Sequence, residues 1–132
     1  MNDNRGFTLI ELLVVIAIIG ILATIVISSI SGARNKARDV VIKSAITESV
    51  RSAALYYDDV QSYAGLCDDP EVASVGSQVA DNGGTFACGS TADGFCLSAT
   101  LASTGSVCTD RYLDIQEGLL CLDGATDVDC DP

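Results

Sequence analysis

The chain has 132 residues, a formal net charge of −11, six cysteines and no histidine. Its length permits one small domain beside a membrane-spanning segment. Without histidine no Ser-His or Cys-His pair can form, and the sequence contains neither a Gly-x-Ser-x-Gly elbow nor a phosphate-binding loop. We therefore predict that the protein is not an enzyme.

The charge is divided unevenly along the chain. Residues 1–51 hold six cations and four acids, a net charge of +2, whereas residues 52–132 hold 14 acids and the single cation Arg111, a net charge of −13. Because phosphate recognition requires cations, direct nucleic-acid binding by the acidic part is not expected.

A long apolar stretch occupies residues 7–30, in which Glu11 is the one charged residue. At about 1.5 Å per helical residue, the stretch exceeds the roughly 30 Å hydrocarbon core of a bilayer. A carboxylate at the centre of such a span costs about 2.5–3.5 kcal/mol, so Glu11 needs compensation. One explanation is its place near the helix start, where the helix dipole and the membrane interface favour it.

The residues around this start carry a specific motif. The leader, residues 1–6, is short and polar and ends in Gly6, and the next residues read Phe-Thr-Leu-Ile-Glu. This sequence resembles the N-terminal signature of type IV pilins and type II secretion pseudopilins. The resemblance is close over residues 5–23 and looser along the rest of the helix.

The resemblance implies a processing step and an assembly step. A prepilin peptidase would cut between Gly6 and Phe7 and methylate the amine of Phe7, leaving the apolar helix in the mature subunit. The subunits would then form a homo-oligomeric helical filament on an inner-membrane assembly platform, with Glu11 paired to the N-terminal ammonium of another copy. Because an unpaired carboxylate is costly in an apolar environment, such a pair would set the stacking register.

Three alternatives compete with this interpretation. A secretory signal fits poorly, because its apolar run covers about 7–15 residues and its cleavage site follows that run. A plain single-pass anchor that holds an extracellular binding module, without polymerising, remains open. Within the resembled family, a type II secretion or competence-type pseudopilin is the alternative to a pilus subunit.

Two features of the sequence indicate opposite orientations in the membrane. Arg34, Lys36 and Arg38 follow the apolar stretch, so the positive-inside rule places the C-terminal part in the cytoplasm. Six cysteines in a part too small for a large core instead indicate an oxidising compartment. We predict that the N-terminus is inside and the head outside, first as a single-pass precursor in the cytoplasmic membrane and then in a cell-surface pilus.

The predicted fold class is α+β, with a long N-terminal helix and a small C-terminal antiparallel sheet. The predicted segments are the leader, residues 1–6; the transmembrane and filament-core helix, residues 7–30; its amphipathic continuation, residues 31–63; and a disulfide-rich head, residues 64–132. Apolar residues three or four apart predict the helix face that carries the head: Ile42, Ile46, Val50, Ala53, Tyr57 and Val60. Two charge pairs, Asp39 with Lys43 and Glu48 with Arg51, are expected on the solvated side.

Within the head, the sequence predicts one short helix and three strands. Residues 63–94 form a loop with a helix at residues 71–80 after Pro70, and the strands follow at residues 95–101, 112–115 and 118–122.

The cysteines all lie in the head, where an even number of them predicts disulfides. Six cysteines allow 15 connectivities. The pairing we predict joins Cys67 to Cys88, Cys96 to Cys121 and Cys108 to Cys130, and each closed loop stabilises the fold by about 3 kcal/mol. Zinc is disfavoured because the chain lacks CxxC pairs and histidine.

The C-terminal carboxylates are a candidate calcium site. Asp123, Asp127, Asp129 and Asp131 supply the oxygen ligands that calcium prefers. Major pseudopilins of the resembled family carry a calcium site in their C-terminal loop. The spacing is not that of an EF-hand loop, since no glycine follows the last three of these residues. We favour a solvated acidic terminus and expect no cofactor.

Overall fold

The computed structural model of the chain describes residues 6–112, 114–121 and 130, and of Ser28 the backbone alone. Helix α1 (Leu9–Val60), a short 3-10 turn (Leu66–Asp68) and helix α2 (Pro70–Asp81) precede four strands, β1 (Phe86–Ser90), β2 (Phe95–Thr100), β3 (Ser106–Asp110) and β4 (Ile115–Glu117). The predicted α+β class, with one long helix and an antiparallel sheet, is confirmed. The chain divides into two compact units, residues 1–34 and residues 35–132, and each is described by itself.

The first unit is built from the N-terminal part of α1. Every side chain described between residues 6 and 34 is exposed, and the large apolar ones range from Leu9, 85% exposed, to Ile30, 43% exposed. A Cβ added at Gly20 or Gly32 would meet no atom within 4 Å. The helix is therefore held by its own backbone hydrogen bonds, and no described residue of this unit covers its apolar surface.

The second unit has a core formed by α1, α2 and the sheet. α1 contributes Ile42, Ala45 and Ile46, and further along Ala53, all at most 5% exposed. These residues pack in two adjoining clusters with residues of α2, β2 and β3: Val72, Val75, Val79, Phe95, Leu97, Ala99 and Val107.

The predicted face of α1 is right at its start and wrong towards its end. Ile42, Ile46 and Ala53 are buried, but Val60 is 51% exposed and Tyr57 is 39% exposed. Tyr56 turns towards the head instead, where its hydroxyl donates a 2.8 Å hydrogen bond to the carbonyl of Ala64. Val60 lies five helical turns after Ile42 and so on the same face, but it is in neither core cluster, since the core of the head covers α1 only as far as Tyr56.

In the predicted charge pair of Asp39 and Lys43, the acid is not on the solvated side. Asp39 is buried, and its carboxylate accepts hydrogen bonds from the amide and the hydroxyl of Ser103. Lys43 forms an ion pair with Glu117 at the end of β4. The pair of Glu48 and Arg51 is exposed, as predicted. The spacing of charges along the sequence could not predict these two contacts, because Ser103 and Glu117 are more than 60 residues away from their partners.

Helix α2 lies where a helix was predicted and is one residue longer at each end. The side chain of Asp69 accepts a 2.9 Å hydrogen bond from the amide of Glu71, and Pro70 is the first helical residue. A capping acid followed by proline is a typical helix start.

The sheet is an antiparallel meander in the order β1-β2-β3-β4. β2 and β3 are buried on both faces. One face packs against the helices through Phe95, Leu97, Ala99 and Val107. The other face holds Cys96 and Cys108, which pack against residues near the C-terminus: Leu119, Cys121 and Cys130.

The strand predictions are correct for β2 and wrong elsewhere. β1 and β3 were not predicted, and both are short strands of mainly small and polar residues. No strand begins at Tyr112, because its amide donates to the carboxylate of Asp110 at 2.8 Å and turns the chain. Residues 118–121 are not a strand either: Gly118 has φ of 88°, and the amide of Cys121 donates to the hydroxyl of Ser98 at 3.1 Å.

Three disulfides fasten the second unit. They join Cys67 to Cys88, Cys96 to Cys121 and Cys108 to Cys130, and they coincide with the predicted pairs. The last two lie side by side on one face of the sheet, with the sulfurs of Cys96 and Cys108 3.2 Å apart.

Candidate functional site

The start of α1 forms a reciprocal cap between Thr8 and Glu11. Oε2 of Glu11 accepts hydrogen bonds from the amide of Thr8 at 2.9 Å and from its hydroxyl at 2.6 Å. In return, the amide of Glu11 lies 3.4 Å from the hydroxyl oxygen of Thr8. This is a capping box, in which two free amides of the first helical turn are satisfied by side chains.

The cap explains how the one acid of the apolar stretch is accommodated. Its charge lies in the first turn, where the helix dipole favours an anion, and Thr8 satisfies Oε2. The other oxygen, Oε1, accepts no hydrogen bond from the residues that the structure describes. One face of the carboxylate is therefore available to a further donor.

The predicted cleavage site is accessible. Gly6 is exposed, and Phe7 is 80% exposed. A Cβ added at Gly6 would meet no atom within 4 Å. Packing therefore does not require glycine at this position, so its presence needs another explanation. The other leader residues, 1–5, lie outside the described residues.

The apolar surface that follows the cap is long enough for a membrane. Within the described residues, α1 is the one helix that could cross a bilayer by length and composition, and its most apolar window has no buried residues. The exposed chains of Phe7, Ile10, Val14 and Val15 line a shallow groove beside Glu11. The stretch thus presents its acid at the edge of a continuous apolar surface.

Neither metal question raised by the sequence finds a ligand set in the described residues. The calcium candidates Asp123, Asp127, Asp129 and Asp131 lie outside them. The sulfurs of Cys96, Cys108 and Cys130 lie within 4.8 Å of one another. Each of these sulfurs is in a disulfide, so none is available as a thiolate ligand.

The sequence analysis singled out Gly6, Phe7 and Glu11 but not Thr8. The signal was present, since a threonine three residues before a glutamate and just ahead of an apolar run is the sequence pattern of a capping box. The structure brings Thr8 and Glu11 together within one chain, and it describes a single chain, so the predicted contact with another copy's N-terminus stays a prediction.

An exposed apolar helix that begins with a capped acid precedes a small α+β domain fastened by disulfides, which is the architecture that the N-terminal resemblance predicts. The family "Prokaryotic N-terminal methylation motif" matches residues 1–27 of the chain.

One relative is similar to the chain over part of its length. The chain is 44% identical over 63 residues to the "Type IV wide pilus major component PilA4" of Thermus thermophilus, and the match spans 48% of each chain. The aligned region is thus about half the length of that relative. No solved structure is significantly similar to the chain. The chain thus carries the N-terminal methylation motif and is similar, over part of its length, to a type IV pilus component.

Proposed function

We propose that the protein is a structural subunit of a type IV pilus. A prepilin peptidase cuts between Gly6 and Phe7 and methylates Phe7. Before assembly the subunit is anchored in the cytoplasmic membrane with its head outside. An inner-membrane assembly platform then adds it to a surface filament. The capping box and the apolar stretch of α1 support this proposal, and so does the name of the relative, which is the major component of a wide pilus.

The observation that carries the proposal is the exposure of the first unit. All its described side chains face outward, and burial of apolar surface contributes about 25 cal/mol per Å². A surface of this kind needs lipid or other helices around it. Lipid covers it in the monomer and neighbouring copies cover it in the filament, so one surface serves both states.

Glu11 has the geometry for a role in stacking. Cleavage leaves a cation at Phe7, and in a filament that cation of one copy can approach the open Oε1 of Glu11 in the next. The capping box need not break, because Thr8 binds only Oε2. A charge-assisted pair in an apolar environment is costly to leave incomplete, so it fixes the register between copies.

Mass spectrometry of the N-terminus and electron microscopy of sheared cell fractions test this proposal. We expect a methylated Phe7 at the N-terminus of filament subunits. Gly6→Val should leave the precursor uncut and the cells without filaments, although the fold does not require glycine there. Filaments built from unprocessed subunits would overturn the proposal and favour a membrane-anchored module.

Two substitutions at Glu11 distinguish the effect of its charge from the effect of its hydrogen bonds to Thr8. Glu11→Gln keeps an oxygen that can accept from Thr8 but removes the charge, whereas Glu11→Ala removes both. We expect both variants to lose filaments while the disulfide-bonded head stays folded. Normal filaments from Glu11→Gln would show that the carboxylate only caps the helix.

A further inference from the structure

Two cations lie on α1 shortly after the apolar stretch ends. Lys36 and Arg38, the basic pair, are six and eight residues after Ile30, and α1 is continuous over this range. Both side chains are exposed. The basic pair is therefore within about two helical turns of the last residue of the stretch.

The basic pair has no anionic partner within the part of the chain that the structure describes. The ion pairs of the described residues involve two other cations, Lys43 and Arg51. Asp39, the acid nearest to the pair along α1, is buried and accepts hydrogen bonds from Ser103. Both charges of the pair are therefore available to a partner outside these residues.

The basic pair flanks the face of α1 that packs in the head. Asp39, Ile42 and Ile46 mark this face, since all three are buried. At 3.6 residues per turn, Lys36 and Arg38 lie on either side of it and about 160° apart around the helix axis. A single protein surface would have to wrap around the helix to meet both charges. Lipid headgroups, in contrast, surround a helix that leaves a bilayer.

The distance of the basic pair from the apolar stretch fits the headgroup layer of a bilayer. At about 1.5 Å per residue, Lys36 is roughly 9 Å and Arg38 roughly 12 Å beyond Ile30 along the helix axis. The headgroups occupy about 5–8 Å on each side of the hydrocarbon core. Because lysine and arginine side chains reach back towards the interface, both charged groups come level with the lipid phosphates.

We propose that the basic pair binds the phosphate groups of anionic phospholipids around the membrane-anchored subunit. Ammonium and guanidinium groups form charge-assisted hydrogen bonds with phosphate, and cations beside a membrane span are attracted to anionic lipid. Residues 52–132 have a net charge of −13, so an anionic membrane surface repels the head, and the pair offsets this repulsion.

The contact rests on the membrane-anchored state of the proposed function and deepens it by naming a lipid that the subunit binds before assembly. It requires no particular orientation in the membrane, because it depends only on the distance of the pair from the apolar stretch.

Lipid selectivity of the full chain tests the contact. The chain is inserted into phosphatidylcholine vesicles that carry a trace of spin-labelled phosphatidylglycerol or spin-labelled phosphatidylcholine. Electron paramagnetic resonance then measures the fraction of each label whose motion the protein restricts. We expect a preference for phosphatidylglycerol, and Lys36→Gln with Arg38→Gln should lower it about two- to fivefold for each cation removed. An equal preference in the variant and the unchanged chain would overturn the contact.

Lys43→Gln with Arg51→Gln is the matched control. It removes the same charge from the same helix, but at positions 13 and 21 residues after Ile30, and both of these cations have partners within the chain. The control should keep the preference of the unchanged chain. A loss as large as that of the basic-pair variant would show that net charge matters and position does not, which contradicts the proposal.

Labelling of amines supplies a second readout with an internal reference, since Lys36 and Lys43 are the two lysines of the chain. We expect an acylating reagent to modify Lys36 about twofold or more slowly, relative to Lys43, in vesicles containing phosphatidylglycerol than in phosphatidylcholine vesicles. Soluble glycerol phosphate, added to phosphatidylcholine vesicles, should not protect Lys36. If it protects Lys36 as well as phosphatidylglycerol does, the pair binds free phosphate and the lipid assignment is wrong.

The lipid measurements need no filament, so their failure is distinct from failure of the proposed function. Filaments formed by a chain without a phosphatidylglycerol preference overturn the contact and leave the pilus assignment intact. A preference in a chain that forms no filaments supports the contact and overturns the assignment. A chain that does not enter vesicles at all overturns both.

Discussion

The two units of the chain use apolar residues in opposite ways. The first exposes them along α1, and a single capping box accommodates the one acid of its apolar stretch. The second buries a small core and adds three disulfides. A helix satisfies its backbone hydrogen bonds internally and can therefore be stable in lipid. A domain as small as the second unit instead needs covalent crosslinks such as disulfides.

This difference predicts where a substitution acts. Changes in the exposed part of α1 should alter assembly and leave the head folded, whereas changes in the second unit should alter the free energy of unfolding of the head. Apart from the control Gly20→Ala, the substitutions below lie in the second unit, and each should leave the helical signal of the first unit in detergent unchanged. They are ordered from the largest expected effect to the smallest.

Removal of the disulfide between Cys108 and Cys130 should have the largest effect. Cys108→Ala with Cys130→Ala is expected to lower the free energy of unfolding by about 2–5 kcal/mol. Thermal unfolding of the full chain in detergent, followed by near-ultraviolet circular dichroism of the head, measures the loss.

Cys67→Ala with Cys88→Ala is the matched control for that disulfide. The two disulfides span similar sequence separations, 22 and 21 residues, so the chain-entropy contribution is nearly equal. Cys108 and Cys130 are nearly fully buried, whereas Cys88 is only partly buried. If the two double variants lose the same free energy of unfolding, packing of the sulfurs beneath the C-terminal residues contributes nothing to stability.

Gly84→Ala should have the next largest effect. A Cβ at this position would lie 2.3 Å from the carbonyl oxygen of Thr100 and 2.9 Å from Cγ1 of Val79. Since a backbone carbonyl in a sheet cannot move aside freely, we expect a loss of about 1–3 kcal/mol or more from overpacking. Gly20→Ala is the control, because a Cβ there meets nothing within 4 Å, and it should leave head unfolding unchanged.

The hydrogen bonds from Ser103 to Asp39 should make stability depend on pH. The hydroxyl of Ser103 is the main cause of a lowered pKa at Asp39, and burial opposes it. A group whose pKa is lowered by folding stabilises the protein above its unfolded pKa, about 3.9 for aspartate, and this contribution is lost as pH falls through the folded pKa.

Ser103→Ala tests this pH dependence. The melting temperature of the variant should lie below that of the unchanged chain at pH 7, and the two curves should converge as the pH falls below about 4. Asp39→Asn, which cannot ionise, should remove the same pH-dependent part. A difference between Ser103→Ala and the unchanged chain that stays constant from pH 7 to pH 3 would contradict the assignment.

The sequence predicts the features that depend on local pattern. The apolar stretch from residue 7 and its single acid indicate the exposed helix, and Pro70 marks the start of α2. The alternation after Phe95 indicates β2. Each of these signals lies within a few residues of the element it describes, so no knowledge of distant contacts is needed.

The features that the sequence does not predict depend on distant partners. β1 and β3 are strands because they pair with β2, although their small residues give a weak strand pattern. Residues 118–121 look like a strand but cross the sheet, where Ser98 and the bond to Cys96 hold Cys121. Asp39 resembles a surface acid until Ser103 is brought beside it by the turn between β2 and β3.

The ion pair between Lys43 and Glu117 should have the smallest effect. It joins α1 to β4, a short edge strand with three exposed residues, but the side chains are 39% and 69% exposed, so solvent screens the attraction. A double-mutant cycle with Lys43→Met and Glu117→Gln should give a coupling of about 0.2–1 kcal/mol that falls as salt is added.

A coupling several times larger, or one insensitive to salt, would mean that the pair is desolvated and that β4 depends on it. A coupling near zero would mean that the backbone pairing of β4 with β3 holds the edge by itself, which the 2.9 Å hydrogen bond from Gly118 to Ser106 favours.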